Sequence, residues 1–298
     1  MSADRRNPHQ PFDRSLVQEF LQGRELLSAE LLHTGRSNTN YTLMLNDGLR
    51  CVLRIYSNGG AQRESYVMSL VSDLVPVPQE LHRGDNWSIF SFIDGDLLES
   101  VPKHTAAAAE VLARISSVEF PAPGWIESDG SLPPFPFGGV RGFIAEALDK
   151  AEVRTWVSED AVDRIEEIVK AESGRLEELE SDSRLVHGDF NPTNVLINKR
   201  VVSGVLDWEY GHSGTPYMDI GNLLRNTPPD YHGQIKAGLE AGGMSLPHDW
   251  MERAELVDLT SHLEFLTSSR SDGFKQQCVA RVHGFIERFG GMELQSKE

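Results

Sequence analysis

The sequence predicts an α+β chain of two lobes, a small antiparallel sheet lobe followed by a larger, mainly helical one. Three observations carry this expectation. The first third holds five short runs of alternating apolar and polar residues, interrupted by one run of helical character. The stretch Asp94-Gly95-Asp96 then breaks the pattern. Beyond it, apolar residues recur mostly at the three- and four-residue spacing of helices.

In order along the chain, Leu16, Val17, Phe20 and Leu21 mark a short opening helix. Glu30 to His33 reads as a strand entering the polar turn Thr34-Gly35-Arg36-Ser37-Asn38. Tyr41 to Leu45 and Leu49 to Tyr56 alternate as strands across Asn46-Asp47-Gly48, where Asp-Gly is a strong hairpin signal. Gln62 to Leu74 is helical in character, and strands at Gln79 to Arg83 and Trp87 to Ile93 complete the sheet. The expected lobes are residues 1–94, hinge included, and residues 95–298. In the second, Thr105 is placed to cap a helix with Ala108, Val111, Leu112 and Ile115 on its apolar face. Phe120 to Phe143, rich in Pro, Gly and aromatics, reads as loop. Glu159 to Asp182 reads as one acidic helix, with ten acids against Arg164, Lys170 and Arg175, its acids a solvated face. Val195 to Ile197 and Val201 to Leu206 form a hairpin-like pair, and helical patterns run from Met218 onward.

Bulk properties narrow the function. The chain has 298 residues and a formal net charge of −17, a field that repels phosphate backbones and argues against nucleic acid as a partner. Cys51 and Cys278 stand far apart in no metal-ligand spacing, which favours a reducing compartment. Met1 to Arg14 has no apolar run, no window approaches the length of a membrane span, and no protein partner is evident. A cytoplasmic protein is expected.

The segment Arg184 to Asn226 carries the chemistry. His187-Gly188-Asp189 is followed by Asn194 five residues after the Asp, then by Asp207 at the end of the next hairpin strand. Phosphoryl transfer requires such a set: one carboxylate to orient and deprotonate the attacking hydroxyl, and an amide oxygen with a second carboxylate to hold magnesium. Asp189, Asn194 and Asp207 fit these roles in that order. The competing reading, loop residues capping turns, has to explain why all three occur together after a sheet lobe. Gly211-His212-Ser213-Gly214 is not completed as a nucleophile elbow, because Thr215 stands at the fifth position, and it reads as a loop.

The pattern H-G-D-F-x-x-x-N followed by V-x-D-W resembles the core of the aminoglycoside phosphotransferase and choline kinase family, a branch of the protein-kinase-like fold. The resemblance implies Mg2+ and ATP or GTP as cofactors, Asp189 as catalytic base, and Asn194 and Asp207 as metal ligands. It also implies His187 as a buried brace and Asp219 as a structural acid holding the catalytic loop. In the first lobe it places Arg54 where the fold has its phosphate-contacting lysine, paired with Glu64, and Val52 on the same strand face against the base. Gly35, Ser37, Asn38 and Thr39 lie in the position of the phosphate-covering loop, and Ser91 and Ile93 in the hinge. Two departures stand out: arginine replaces lysine at position 54, and the covering loop has a single glycine.

Only eleven residues separate Asp207 from Asp219, too few for a peptide platform, so a small hydroxylated molecule is the expected acceptor. An aminoglycoside-type cation suits the net charge; choline, homoserine or a sugar-like alcohol is the rival. A non-catalytic nucleotide-binding scaffold would have no chemical need for all three core residues. Glu255, Asp258 and Glu264 are candidates to line the acceptor pocket, but their helical spacing with Leu256, Leu259 and Leu263 favours a surface face for any one of them, while Glu209 is left facing either metal or solvent.

Overall fold

The computed structural model describes residues 5–33 and 35–295. A helical turn leads into α1 (Gln18–Leu21), then β1 (Leu26–Leu32), β2 (Thr39–Leu45), β3 (Arg50–Ile55), α2 (Ala61–Ser69), β4 (Glu80–Arg83) and β5 (Trp87–Ser91). These strands form one antiparallel sheet in the order β1-β2-β3-β5-β4. Alternation sorts its two faces. Tyr41, Leu43 and Leu45 of β2 join Cys51, Leu53 and Ile55 of β3, Ile89, and Phe20 and Leu21 of α1 in the core of this lobe. The opposite face of β3 presents Val52 and Arg54 to the cleft.

The second lobe begins with β6 (Asp96–Leu97) and continues through α3 (Thr105–Ile115), β7 (Gly124–Trp125), α4 (Val140–Leu148), α5 (Ala151–Trp156), α6 (Glu159–Ala171) and α7 (Ser173–Ser181). It closes with β8 (Arg184–Val186), β9 (Val195–Asn198), β10 (Val201–Val205), β11 (His212–Gly214), α8 (Tyr217–Asn226), α9 (His232–Ala241), α10 (Trp250–Thr267) and α11 (Asp272–Gln295). Two small sheets, β10-β9-β6 and β7-β11-β8, carry the loops that converge on the cleft. No helix among the described residues is long and apolar enough to cross a membrane.

Several local expectations are corrected. The first strand begins at Leu26, ahead of Glu30. The acidic segment is two helices, because the backbone leaves helical geometry at Glu172, and most of its acids face outward, while Glu180 and Asp182 line the cavity. Thr105 is not a cap: it is the first helical residue, and its hydroxyl donates to the Pro102 carbonyl. The Phe120 to Phe143 loop contains β7, and helix resumes at Val140. Gly211 to Gly214 is mostly strand rather than loop. Two flanking strands pair with β11, and Ser213 is fully buried, its hydroxyl donating to the Ala122 carbonyl.

Small residues set the closest helix contact. A Cβ at Gly238 in α9 would lie 2.1 Å from the Ala106 carbonyl oxygen of α3, whereas one at Gly284 in α11 would meet nothing within 4 Å. Alanine is ordinarily the better helix former by about 1 kcal/mol. Gly284→Ala should therefore raise the melting temperature slightly. Gly238→Ala should lower it by several degrees, because overpacking costs about 1–3 kcal/mol; thermal denaturation of both variants checks the reversal of sign.

Candidate active site

The chain leaves β8 directly into His187-Gly188-Asp189, and Asp219 near the start of α8 holds that turn. Its fully buried carboxylate accepts the backbone N–H of His187 at 2.6 Å and of Gly188 at 3.0 Å. Gly188 has φ +82°, and a Cβ there would lie 2.6 Å from the Tyr210 carbonyl oxygen, so only glycine fits. His187 donates through Nε2 to the Leu206 carbonyl at 3.0 Å, and its Nδ1 accepts the Asp189 N–H at 3.2 Å. Burial pushes its imidazole down to about 4, so it is a neutral brace against Trp208, 4.5 Å away ring to ring.

The three core residues converge. Asp189 accepts from Asn191 Nδ2 at 2.7 Å and from Asn194 Nδ2 at 2.9 Å. Committing the Asn194 amide nitrogen to Asp189 leaves its oxygen, the cation-ligating end, for the cleft. Burial and then the nearby charge of Asp207 push the Asp189 carboxyl up to about 6, against the pull of the two asparagines. Asp207 follows β10 in the left-handed region at φ 68°, a conformation uncommon for a residue with a side chain.

Arg54 and Glu64 form the expected pair, Nε to Oε2 at 3.0 Å, and both are buried. Arg54 also pairs with Asp207, and Glu209 lies 3.7 Å from it. Glu64 further accepts the Tyr56 hydroxyl and, at 2.9 Å, the backbone N–H of Trp208.

Gly35, Ser37 and Asn38 line the cleft as expected, and so do Val52, Ser91 and Ile93. Thr39 does not. It is the first residue of β2, fully buried, and its hydroxyl accepts the Gln10 N–H at 3.0 Å. Ser91 contributes less than its position implies, because its N–H already donates to the Gln79 carbonyl. Glu209 faces the cleft: it accepts Asn38 Nδ2 at 2.7 Å, joining the covering loop to the strand end that carries Asp207. Burial, then the charge of Asp207, push its carboxyl up to about 7.

These residues line one continuous cavity of about 1040 Å³. Its far end is walled by a chain of rings, Trp125–Phe135–Phe137–Phe143, with successive centroids 5.1, 5.3 and 5.1 Å apart. Met218 and Phe265 also line it. Acids edge this end: Asp182 accepts the Thr215 hydroxyl at 2.8 Å, Glu180 pairs with Arg141, and Glu264 with Arg6 at 3.6 Å. The expectation of a surface face on α10 fails at Asp258, which is buried against Arg225 and His262. It holds at Glu264, whose side chain is 53% exposed at the cavity edge, and at Glu255, which pairs outward with Arg288.

Residues 28–256 match the sequence profile described as the phosphotransferase enzyme family. The chain belongs to that family. No curated protein matches it in sequence. Among solved structures, macrolide 2'-phosphotransferase MphH from Brachybacterium faecium is 16% identical with TM-score 0.65, over 91% of this chain and 98% of its own. A thermostable mutant of aminoglycoside phosphotransferase APH(4)-Ia, in complex with AMP-PNP and hygromycin B, is 19% identical with TM-score 0.66, over 93% and 99%. A Thermobifida fusca protein described as a fructosamine-3-kinase is 18% identical with TM-score 0.63, over 91% and 99%. The bilobal, kinase-like fold of this phosphotransferase is theirs.

Sequence reasoning missed several supports of the site. Arg63, one residue before Glu64, donates to the carbonyls of Ile126, Glu209 and Gly211 and so fixes the segment after Asp207. Tyr56 and the Trp208 amide, both on Glu64, were equally silent. Asn191 sits inside the recognised motif, and its proximity to Asp189 was the signal available.

Replacing Asp219 with asparagine would turn an amide toward backbone donors, and leaving one buried N–H unmet costs about 1–3 kcal/mol. Asp219→Asn should lower both the melting temperature and turnover. His212 tests the same environment by pH. Burial pushes its imidazole down to about 4, and its Nδ1 lies 2.9 Å from the Tyr210 carbonyl. The folded form thus resists protonation while the unfolded chain takes up a proton below about 6.5. Stability from this group is present above that pH and lost as pH falls from about 6.5 toward 4, by up to about 1.4 kcal/mol per unit. Between pH 7 and 5 the wild type should lose more stability than His212→Gln does.

Proposed function

We propose that this phosphotransferase moves the γ-phosphoryl group of ATP or GTP, with Mg2+, onto a hydroxyl of a small molecule. The convergence of Asp189, Asn194, Asp207, Arg54 and Glu64 on one wall of a single cavity supports this reading more than any other observation. Asp189 accepts the proton of the acceptor hydroxyl as its oxygen bonds to phosphorus and the nucleoside diphosphate leaves. Arg54, positioned by Glu64, is the cation for the donor phosphates, and its fork can meet two oxygens.

The residues present fit a magnesium ion. Among the described residues no cluster of three or more His, Cys, Asp or Glu could hold a metal. Magnesium instead favours one or two protein oxygens completed by water and phosphate. The Asn194 amide oxygen and the Asp207 carboxylate are that donor set. When bound, the ion neutralises charge on the transferring phosphates.

The acids at the far end of the cavity and its ring wall suit a hydroxylated cation of the aminoglycoside type, the rings acting through their faces. A metabolic kinase acting on choline, homoserine or a sugar-like alcohol is the second reading. The pairing of Glu180 with Arg141 and of Glu264 with Arg6 favours it, because a polycation would want those acids unpaired. We place the activity in the cytoplasm, with Cys51 and Cys278 free and buried.

The test is nucleoside diphosphate release with Mg2+ and ATP or GTP against aminoglycosides, macrolides, choline, homoserine and sugar alcohols. Asp189→Ala should abolish acceptor-dependent release, a loss of at least about a hundredfold, while nucleotide binding stays within a few-fold. Absence of nucleotide binding by the wild type would overturn the proposal.

A further inference from the structure

The covering loop has one glycine where a kinase-like loop would be glycine-rich, yet it is held firmly, from outside the sheet. Residues ahead of α1 run along it. Arg5 forks onto two of its carbonyls, Nη1 to Gly35 at 2.8 Å and Nη2 to Asn38 at 3.1 Å, and a third donor, Nε, reaches Asn7's carbonyl at 2.8 Å. The Arg6 N–H donates to the Arg36 carbonyl at 3.0 Å, and Asn7 Nδ2 to that of Ser37 at 3.3 Å. Four successive carbonyls, Gly35 to Asn38, are thus taken by one segment. Gln10 moors that segment to the sheet. Its N–H donates to Thr39 Oγ1 at 3.0 Å, its carbonyl accepts the Tyr41 hydroxyl at 2.8 Å, and its amide reaches the Tyr56 carbonyl at 3.3 Å. On the other side of the cleft, Arg6 donates to the Tyr210 hydroxyl at 3.0 Å and pairs with Glu264.

A trans peptide points its C=O and N–H in opposite directions. Carbonyls taken by the strap at Gly35, Arg36 and Ser37 therefore turn the N–H groups of Arg36, Ser37 and Asn38 away from it, on residues that line the cavity. Successive amides so presented make a concavity suited to phosphate oxygens. We infer that the segment Arg5–Gln10 belongs to the nucleotide site, with Arg5 the positioning residue that orients the covering loop's amides toward the donor phosphates. This rests on the nucleotide reading above. The strap supplies from outside the order that additional glycines and a tight turn would supply within the loop.

Binding of AMP-PNP with Mg2+, and of adenosine alone, measured by calorimetry on the full chain tests it. A tenfold effect is about 1.4 kcal/mol, within the net worth of two hydrogen bonds. Arg5→Ala should weaken AMP-PNP about tenfold and leave adenosine within twofold, since the base sits on β3 and the hinge. Arg5→Lys, which cannot fork, should fall between, and Asn7→Ala should weaken AMP-PNP two- to threefold. AMP-PNP affinity of Arg5→Ala within twofold of wild type, or equal weakening of both ligands as a general structural defect would give, overturns the inference. A wild type that binds neither ligand overturns the nucleotide reading itself.

Discussion

Burying an ionised carboxylate costs several kcal/mol unless its lone pairs are met by charged or polar partners. Glu64 meets that requirement with groups from two parts of the chain: the Arg54 guanidinium and Tyr56 hydroxyl of the sheet lobe, and the Trp208 amide that follows Asp207. The partners are not interchangeable. Removing the carboxylate would leave a buried guanidinium facing only Asp207 and Glu209, and would release the backbone that presents Asp207. One side chain thereby sets the distance between the guanidinium proposed for the donor phosphates and the carboxylate proposed for the metal. Arg63, its neighbour on α2, extends the same tie to the carbonyls of Glu209 and Gly211.

A second constraint acts from the helical lobe. Asp219 takes the N–H groups of the His187-Gly188 turn, and His187 spans to the Leu206 carbonyl just before Asp207. The Asp189 loop and the strand end that carries Asp207 are so fixed from behind by buried groups. Burial and then the charge of Asp207 push Asp189 and Glu209 upward, against the pull of Asn191, Asn194 and Arg225 on the first and of Arg54 and Asn38 on the second.

What was legible in the sequence shares one property: it is chemistry imposed at short range. Asp189, Asn194 and Asp207 lie within nineteen residues and must occur in that order on a loop and a hairpin. The five alternating runs of the first lobe were readable because each strand has one buried face. Failures came where long-range packing decides. Ser213 and its neighbours are a strand only because β7 and β8, distant in sequence, flank them. Thr39 belongs to β2 rather than to the covering loop because Gln10 takes its hydroxyl. Asp258 looked like a surface acid at helical spacing, and its burial follows from Arg225 on another helix. Arg63 and Tyr56 carried no local signal, since their partners lie on other elements or form no motif.

The ring wall at the far end of the cavity has a different standing from the acid loop. Trp125, Phe135 and Phe137 hang on a segment whose only strand is the two-residue β7, and they pack chiefly on one another and on His212. Trp125 also meets a support of the site, the Arg63 guanidinium 5.6 Å from its ring centroid, so the freer positions are Phe135 and Phe137. Substitution there can reshape what the far end admits while the phosphate chemistry is left intact. The cavity is thus divided between a wall tied together by buried hydrogen bonds and ion pairs and a wall held by ring packing. A change of ring size at Phe135 or Phe137 alters the shape of that wall without leaving a buried hydrogen bond unmet.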